Sequence, residues 1–70
     1  MTRTYLNVRS NRQYRAVVEK TNSINYVVRM FEDGRFIGHT VTDNEEAASL
    51  IAESFVGPSE KRFLSEITLP

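Results

Sequence analysis

The dipeptide Asp33-Gly34 constrains this chain more than any other feature. It stands between two apolar runs, Ile24–Phe31 and Phe36–Val41. A type I′ turn needs positive φ at both central residues, and Asp-Gly tolerates that better than almost any other pair. The two runs are therefore expected to be antiparallel strands. The turn also sets a register. Glu32 faces Arg35, Phe31 faces Phe36, Met30 faces Ile37, Val28 faces His39 and Tyr26 faces Val41. Side chains alternate along a strand. One face then collects Ile24, Tyr26, Val28, Met30, Ile37, His39 and Val41, the expected core face. The other collects Val27, Arg29, Phe31, Phe36 and Thr40.

A further strand is expected over Tyr14–Lys20, which is rich in β-branched residues and opens on an aromatic. A three-residue loop at Thr21–Ser23 sets Val18 opposite Tyr26, Ala16 opposite Val28 and Tyr14 opposite Met30. All six then share the core face. A two-residue loop would bury Arg15 and Glu19, at a desolvation cost that nothing offsets.

Thr42-Asp43-Asn44-Glu45 has the spacing of a capping box. The acidic residues Asp43, Glu45 and Glu46 suit the positive end of a helix dipole. The helix is expected to run to about Val56, stopped by Gly57-Pro58. Its buried stripe is read as Ala47, Leu50, Ile51 and Phe55, with Ala48 and Ala52 beside it. Residues 62–69 alternate apolar and polar and read as a final strand, with a helical turn around Phe63, Leu64 and Ile67 as the rival. The fold class expected is α+β: a three- to four-stranded, mostly antiparallel sheet with one helix on one face, in the order β-β-β-α-β. That order leaves room for a short extra strand near Tyr5–Val8.

Seventy residues, 40% of them apolar, suffice for one small core. The expected organisation is a single domain over 1–70. Residues 1–13 form an Arg-rich N-terminal segment and 14–69 the β-β-β-α-β core. Lys+Arg and Asp+Glu are both 9, so net charge is zero. That argues against a general nucleic-acid binder. The charge is nevertheless segregated. Residues 1–15 carry Arg3, Arg9, Arg12 and Arg15 and no acid. No apolar run approaches the ~20 residues of a membrane span, so no membrane partner and a cytoplasmic location are expected.

Little in the sequence supports catalysis. With no Cys there is no thiol nucleophile or cysteine-type zinc site. His39, the one imidazole, falls on the helix-covered face in this register, as a hydrogen-bonded structural histidine. Glu45 and Glu46 sit where the helix dipole keeps them ionised, which makes a poor general acid. Gly34 and Gly38 belong to a hairpin, not to a phosphate loop. No catalytic residue, metal site or cofactor is expected.

Three surfaces remain. The uncovered sheet face carries Arg29, Phe31 and Phe36, residue types enriched in binding hot spots. The helix is acidic, with Asp43, Glu45, Glu46 and Glu53 and no Lys or Arg between 42 and 56. These seven are the expected partner-binding residues. The Arg-rich start offers Arg9, Arg12 and Arg15, interleaved with Tyr5 and Tyr14, as nucleic-acid contacts.

Two families share parts of this pattern. The stretch from Tyr14 through Tyr26-Val27-Val28, Gly38-His39-Thr40 and Asn44-Glu45-Glu46-Ala47-Ala48 resembles the compact unit of Hic-type antitoxins. That resemblance implies a protein that neutralises a small RNA-cleaving toxin. Residues 16–58 are also similar to small phage-encoded anti-CRISPR proteins, through Ala16-Val17, Asp33-Gly34, Gly38, Asp43 and Gly57-Pro58. In one of those an exposed aromatic sheet face meets a surveillance complex. The corresponding positions here carry Val17 and Val18, so its contact residues do not transfer. The second resemblance implies a non-enzymatic inhibitor, of phage or mobile-element origin, that binds a host protein or nucleoprotein complex. The alternatives are the antitoxin and a single-stranded nucleic-acid binder. A homodimer is a further expected partner.

Overall fold

The computed structural model describes residues 2–57 and 67–69. Among the described residues there are five strands and one helix: β1 (Thr2–Arg9), β2 (Arg12–Lys20), β3 (Tyr26–Glu32), β4 (Arg35–Thr42), α1 (Glu45–Val56) and β5 (Ile67–Leu69). Strands β1 to β4 form an antiparallel meander that precedes the helix. The chain is thus α+β, with four strands ahead of α1, not three as the sequence reading had it. The three-residue β5 pairs antiparallel with β1, and the sheet order is β4-β3-β2-β1-β5. Residues 62–66 of the expected last strand lie outside the described residues.

The additional strand is β1, longer than the short segment expected at Tyr5–Val8. It turns into β2 through Ser10 and Asn11, both at positive φ (54° and 64°), with Arg9 facing Arg12. Asp33 and Gly34 do the same at 53° and 83° between β3 and β4. Both hairpins therefore close through two residues in left-handed conformation. Asn11 tolerates it because its short polar side chain softens the steric penalty.

The β2–β3 connection runs from Thr21 to Asn25, not Thr21 to Ser23. Asn22 holds it: its Oδ1 accepts from the backbone N–H of Ile24 and of Asn25, both at 2.8 Å. Val18 consequently faces Val28, Ala16 faces Met30 and Tyr14 faces Glu32. This moves the register by two residues. Two is the sheet's own period, so Tyr14, Ala16, Val18, Val28 and Met30 still lie on the face expected. Ile24 falls in the loop and is exposed, a correction to its place in the core.

The β3–β4 register differs in a more consequential way. Phe31 faces Phe36 and Glu32 faces Arg35, as the turn demands. A bulge then intervenes, and Met30 faces Gly38, Val28 faces Thr40 and Tyr26 faces Thr42. One extra residue shifts every later side chain to the opposite face. Ile37, His39 and Val41 were expected in the core. Ile37 and Val41 are about half exposed, and His39 is exposed.

The core lies between the sheet and α1. Tyr5, Ala16, Val18, Val28, Ala48, Ala52 and Val56 are buried, with Tyr14, Tyr26, Met30, Ile51 and Phe55 packed around them. The helix turns Ala48, Ala52 and Val56 inward, rotated by one position from the expected stripe. Ile51 and Phe55 flank the contact, Ala47 is half-buried and Leu50 is 62% exposed. The sheet explains the rotation. It supplies the bulk through Tyr5, Tyr14, Tyr26 and Met30, so the helix fits closest on its alanines. The cap is Asn44, whose side chain accepts from the Ala47 N–H at 3.0 Å. Thr42, the expected cap, instead accepts from the Asn44 N–H.

β1 fastens the helix from end to end. Arg3 reaches Ser49 and Glu45, and the Tyr5 hydroxyl donates to Ser49 at 3.2 Å. At the other end Asn7 Nδ2 donates to the carbonyls of Val56 and Gly57, at 2.9 and 3.2 Å. Arg9 Nε donates to Val56 and Nη2 to Phe55, at 2.9 and 3.1 Å. The last carbonyls of a helix have no partner within it. Here side chains from the neighbouring strand supply the donors, in place of a basic last turn.

Candidate functional site

The helix covers one side of the sheet. The other side carries a row of flat side chains running across three strands. Arg15 on β2 lies with its guanidinium 4.2 Å from the ring centre of Phe31 on β3. Phe31 meets Phe36 on β4 edge to face, with ring centres 5.6 Å apart. Phe36 stacks against His39, 6.5 Å away at an interplanar angle of 19°. The bulge makes the last contact: it puts His39 on the same face as Phe36. Phe36 is 52% exposed and Phe31 half-buried.

Around the row the face is mixed. Arg29 is paired to Glu19 across β2 and β3. Val27, between Glu19 and Val41 in register, is buried. Arg12 donates to Glu32 at 2.6 Å at the hairpin end. That hydrogen bond, more than any other interaction, raises the Arg12 pKa above its ordinary value. Arg35 and Phe36 line a shallow depression there together with Arg12, Glu32, Asp33 and Ile37.

The seven expected partner-binding residues fall into two groups on opposite sides of the sheet. Arg29, Phe31 and Phe36 lie on the open face. Asp43, Glu45, Glu46 and Glu53 lie on the helix and its entry, where Glu45 meets Arg3 at 3.4 Å. A single flat partner cannot touch both groups. The three arginines expected to contact nucleic acid are also separated. Arg9 is turned to the helix side, over the Tyr14 ring at 3.9 Å. Arg12 stands at the hairpin end, and only Arg15 joins the aromatic row.

Sequence reasoning placed Phe31 and Phe36 together but missed His39 as their neighbour and Arg15 as the cap of the row. Arg15 was discoverable once β2 was laid beside β3, because it faces Phe31 directly. His39 was not, because its place depends on the bulge. Among the described residues no hydrogen bond or ion pair reaches the His39 side chain, and no three His, Asp or Glu side chains lie close enough to hold a metal ion. No described helix is long and apolar enough to cross a membrane. Comparison with family models, curated proteins and solved structures returned no match.

Proposed function

We propose that this protein is a non-enzymatic inhibitor that binds a host protein or nucleoprotein complex through its open sheet face. The observation that carries the reading is the row Arg15–Phe31–Phe36–His39. Aromatic and arginine side chains bury much area with few rotatable bonds, and they dominate binding energy where they form the centre of an interface. Four in contact across three strands make a preorganised platform, so little ordering entropy opposes association. The resemblance to small phage-encoded anti-CRISPR inhibitors supplies the class of partner, a nucleoprotein machine in the bacterial cytoplasm. The acidic residues of α1, on the far side, stay in solvent in the complex.

Capture from bacterial lysate tests this, using the tagged wild type beside a Phe31→Ala/Phe36→Ala double variant. The wild type is expected to retain one nucleoprotein complex, inhibit its activity and lose both properties in the double variant. A complex retained equally by both proteins, or none retained by either, overturns the reading.

One observation favours a second reading. The rings lie on adjacent strands with an arginine stacked at one end, the arrangement that receives unpaired bases in single-strand binders. Anisotropy titration with fluorescent single-stranded DNA and RNA at two salt concentrations separates the two. Binding that weakens as salt rises supports this second reading, and no binding leaves the first.

A further inference from the structure

The open face and the helix carry opposite charge. On the open face Arg15 lies across from Phe31, and Arg29 precedes Phe31 by two residues on the same strand. The acid beside them, Glu19, is already paired to Arg29. On α1 every charged residue is an acid. Glu46, Leu50 and Glu53 stand at i, i+4 and i+7 and share one stripe of the helix. All three are exposed, and neither glutamate has an ion pair among the described residues. A solvated helix face more often mixes Glu with Lys or Arg at such spacings. Here an exposed leucine sits between two unpaired carboxylates.

We propose that this stripe of α1 docks on the open face of a second copy of the chain, with Leu50 against Phe31 and Phe36 and the two glutamates on Arg15 and Arg29. Charge complementarity selects the occupant: one surface is apolar with an acidic rim, the other aromatic with two arginines. The spacings agree. Glu46 and Glu53 are ~10 Å apart along the helix axis. Arg15 and Arg29, one strand over and two residues along, are ~8 Å apart, and an arginine stem spans the difference. A guanidinium has several donors, so Arg29 can hold Glu19 and a second carboxylate together. The apolar face of a sheet is stably covered by a helix or a second sheet, and α1 brings both the apolar bulk and the opposite charge. The two surfaces lie on opposite sides of the sheet. Two copies therefore cannot satisfy both at once, and association runs head to tail. A net charge of zero leaves no overall repulsion between copies. Exposed ion pairs are weak one by one, so the dilute chain is monomeric with its open face free. A second copy and the host partner proposed above compete for that face, but the docking of a copy does not require the host-binding reading.

Sedimentation equilibrium from micromolar to millimolar protein in low salt tests it. The wild type is expected to pass from monomer to species larger than a dimer and to return toward monomer as salt rises. Leu50→Lys blocks the helix stripe and Phe36→Glu blocks the open face. Both positions are exposed, so each variant is expected to keep the fold by circular dichroism and to stay monomeric alone. Mixed together, they are expected to form a one-to-one dimer and nothing larger, because each still carries the surface the other lacks. A wild type that stays monomeric or stops at a dimer overturns the proposal. So does a mixture that stays monomeric, or a variant that associates alone as the wild type does. None of these outcomes touches the host-binding reading, which capture from lysate decides.

Discussion

The side-chain amide of Asn7, buried on β1, donates to the carbonyl oxygen of Val56 at the last turn of α1, 2.9 Å away. The two residues are 49 positions apart in sequence, so this bond ties the first strand to the end of the helix. Asn7→Ala removes the donor, leaving the Gly57 carbonyl without it and the Val56 carbonyl with Arg9 alone. The cost of a buried polar group left unsatisfied is ~1–3 kcal/mol. For a chain of this size that is a Tm loss of about 4–8 °C per kcal/mol. Thermal unfolding followed by circular dichroism measures it. Asn7→Asp, which points an acceptor and a negative charge at the same carbonyls, is expected to cost more than Asn7→Ala.

Two arginines of the first hairpin should behave differently. Arg9 donates to two helix carbonyls and lies over Tyr14. Arg12 makes one exposed ion pair with Glu32. Exposed pairs of that kind contribute ~0–1 kcal/mol and are screened by salt. Urea titrations are expected to show Arg9→Ala losing more stability than Arg12→Ala. Only the Arg12 effect should shrink in high salt. Arg9→Lys should recover little, because an ammonium cannot reproduce the forked donation to Phe55 and Val56.

The three glycines should give three different outcomes with alanine. Gly57 sits at φ 93° and ψ 147°, and an added Cβ would lie 2.5 Å from Arg9 Nε. Gly57→Ala therefore combines backbone strain of ~1–3 kcal/mol with displacement of the arginine that caps the helix. Gly34 has φ 83° but open space where a Cβ would stand. Gly34→Ala is expected to cost only the left-handed strain, ~1–2 kcal/mol. Gly38 has neither problem. Gly38→Ala should raise stability by ~0.4–1 kcal/mol, by restricting the unfolded chain. Chemical denaturation of the three variants should rank them in that order. A Gly38→Ala variant less stable than wild type would contradict the register of β4.

The turn chemistry was legible in the sequence and the bulge was not. Asp33-Gly34 needs left-handed backbone, and few residue pairs supply it, so the β3–β4 hairpin could be read from two letters. The bulge at Phe36-Ile37 has no comparable mark. It uses no glycine, and it turns Gly38 and Thr40 to the helix side of the sheet in place of Ile37 and His39. Counting outward from the turn therefore gave the right partners for Phe36 and the wrong face for His39. The β2–β3 loop was misjudged by two residues with no such penalty, because a two-residue shift returns each side chain to its own face. Ser10-Asn11 was a readable turn, but arginines on both sides hid the alternation of Tyr5 and Asn7 in β1. The helix cap shows competition between equals. Thr42 and Asn44 both offer an oxygen at the right distance from a helix start, and the difference lies in the backbone path out of β4.

The aromatic row should be dispensable for folding. Phe36 is half exposed, lying between Phe31 and His39 on the open face, so Phe36→Ala forfeits part of the ~1.5–3 kcal/mol that full burial of such a side chain brings. Tyr5→Ala removes a buried ring from the core, a change of the class that costs ~3–5 kcal/mol. Urea titrations are expected to separate the two variants clearly, with only the Tyr5 variant losing most of the fold.

Hydroxyl-radical footprinting of Phe31, Phe36 and Tyr5, with the protein free and then bound to its captured partner, tests the binding role of the open face most directly. Phe36 and, to a lesser degree, Phe31 should oxidise in the free protein and be shielded in the complex, while Tyr5, under the helix, stays unreactive in both. Equal oxidation of Phe36 in the free and bound states would contradict the account.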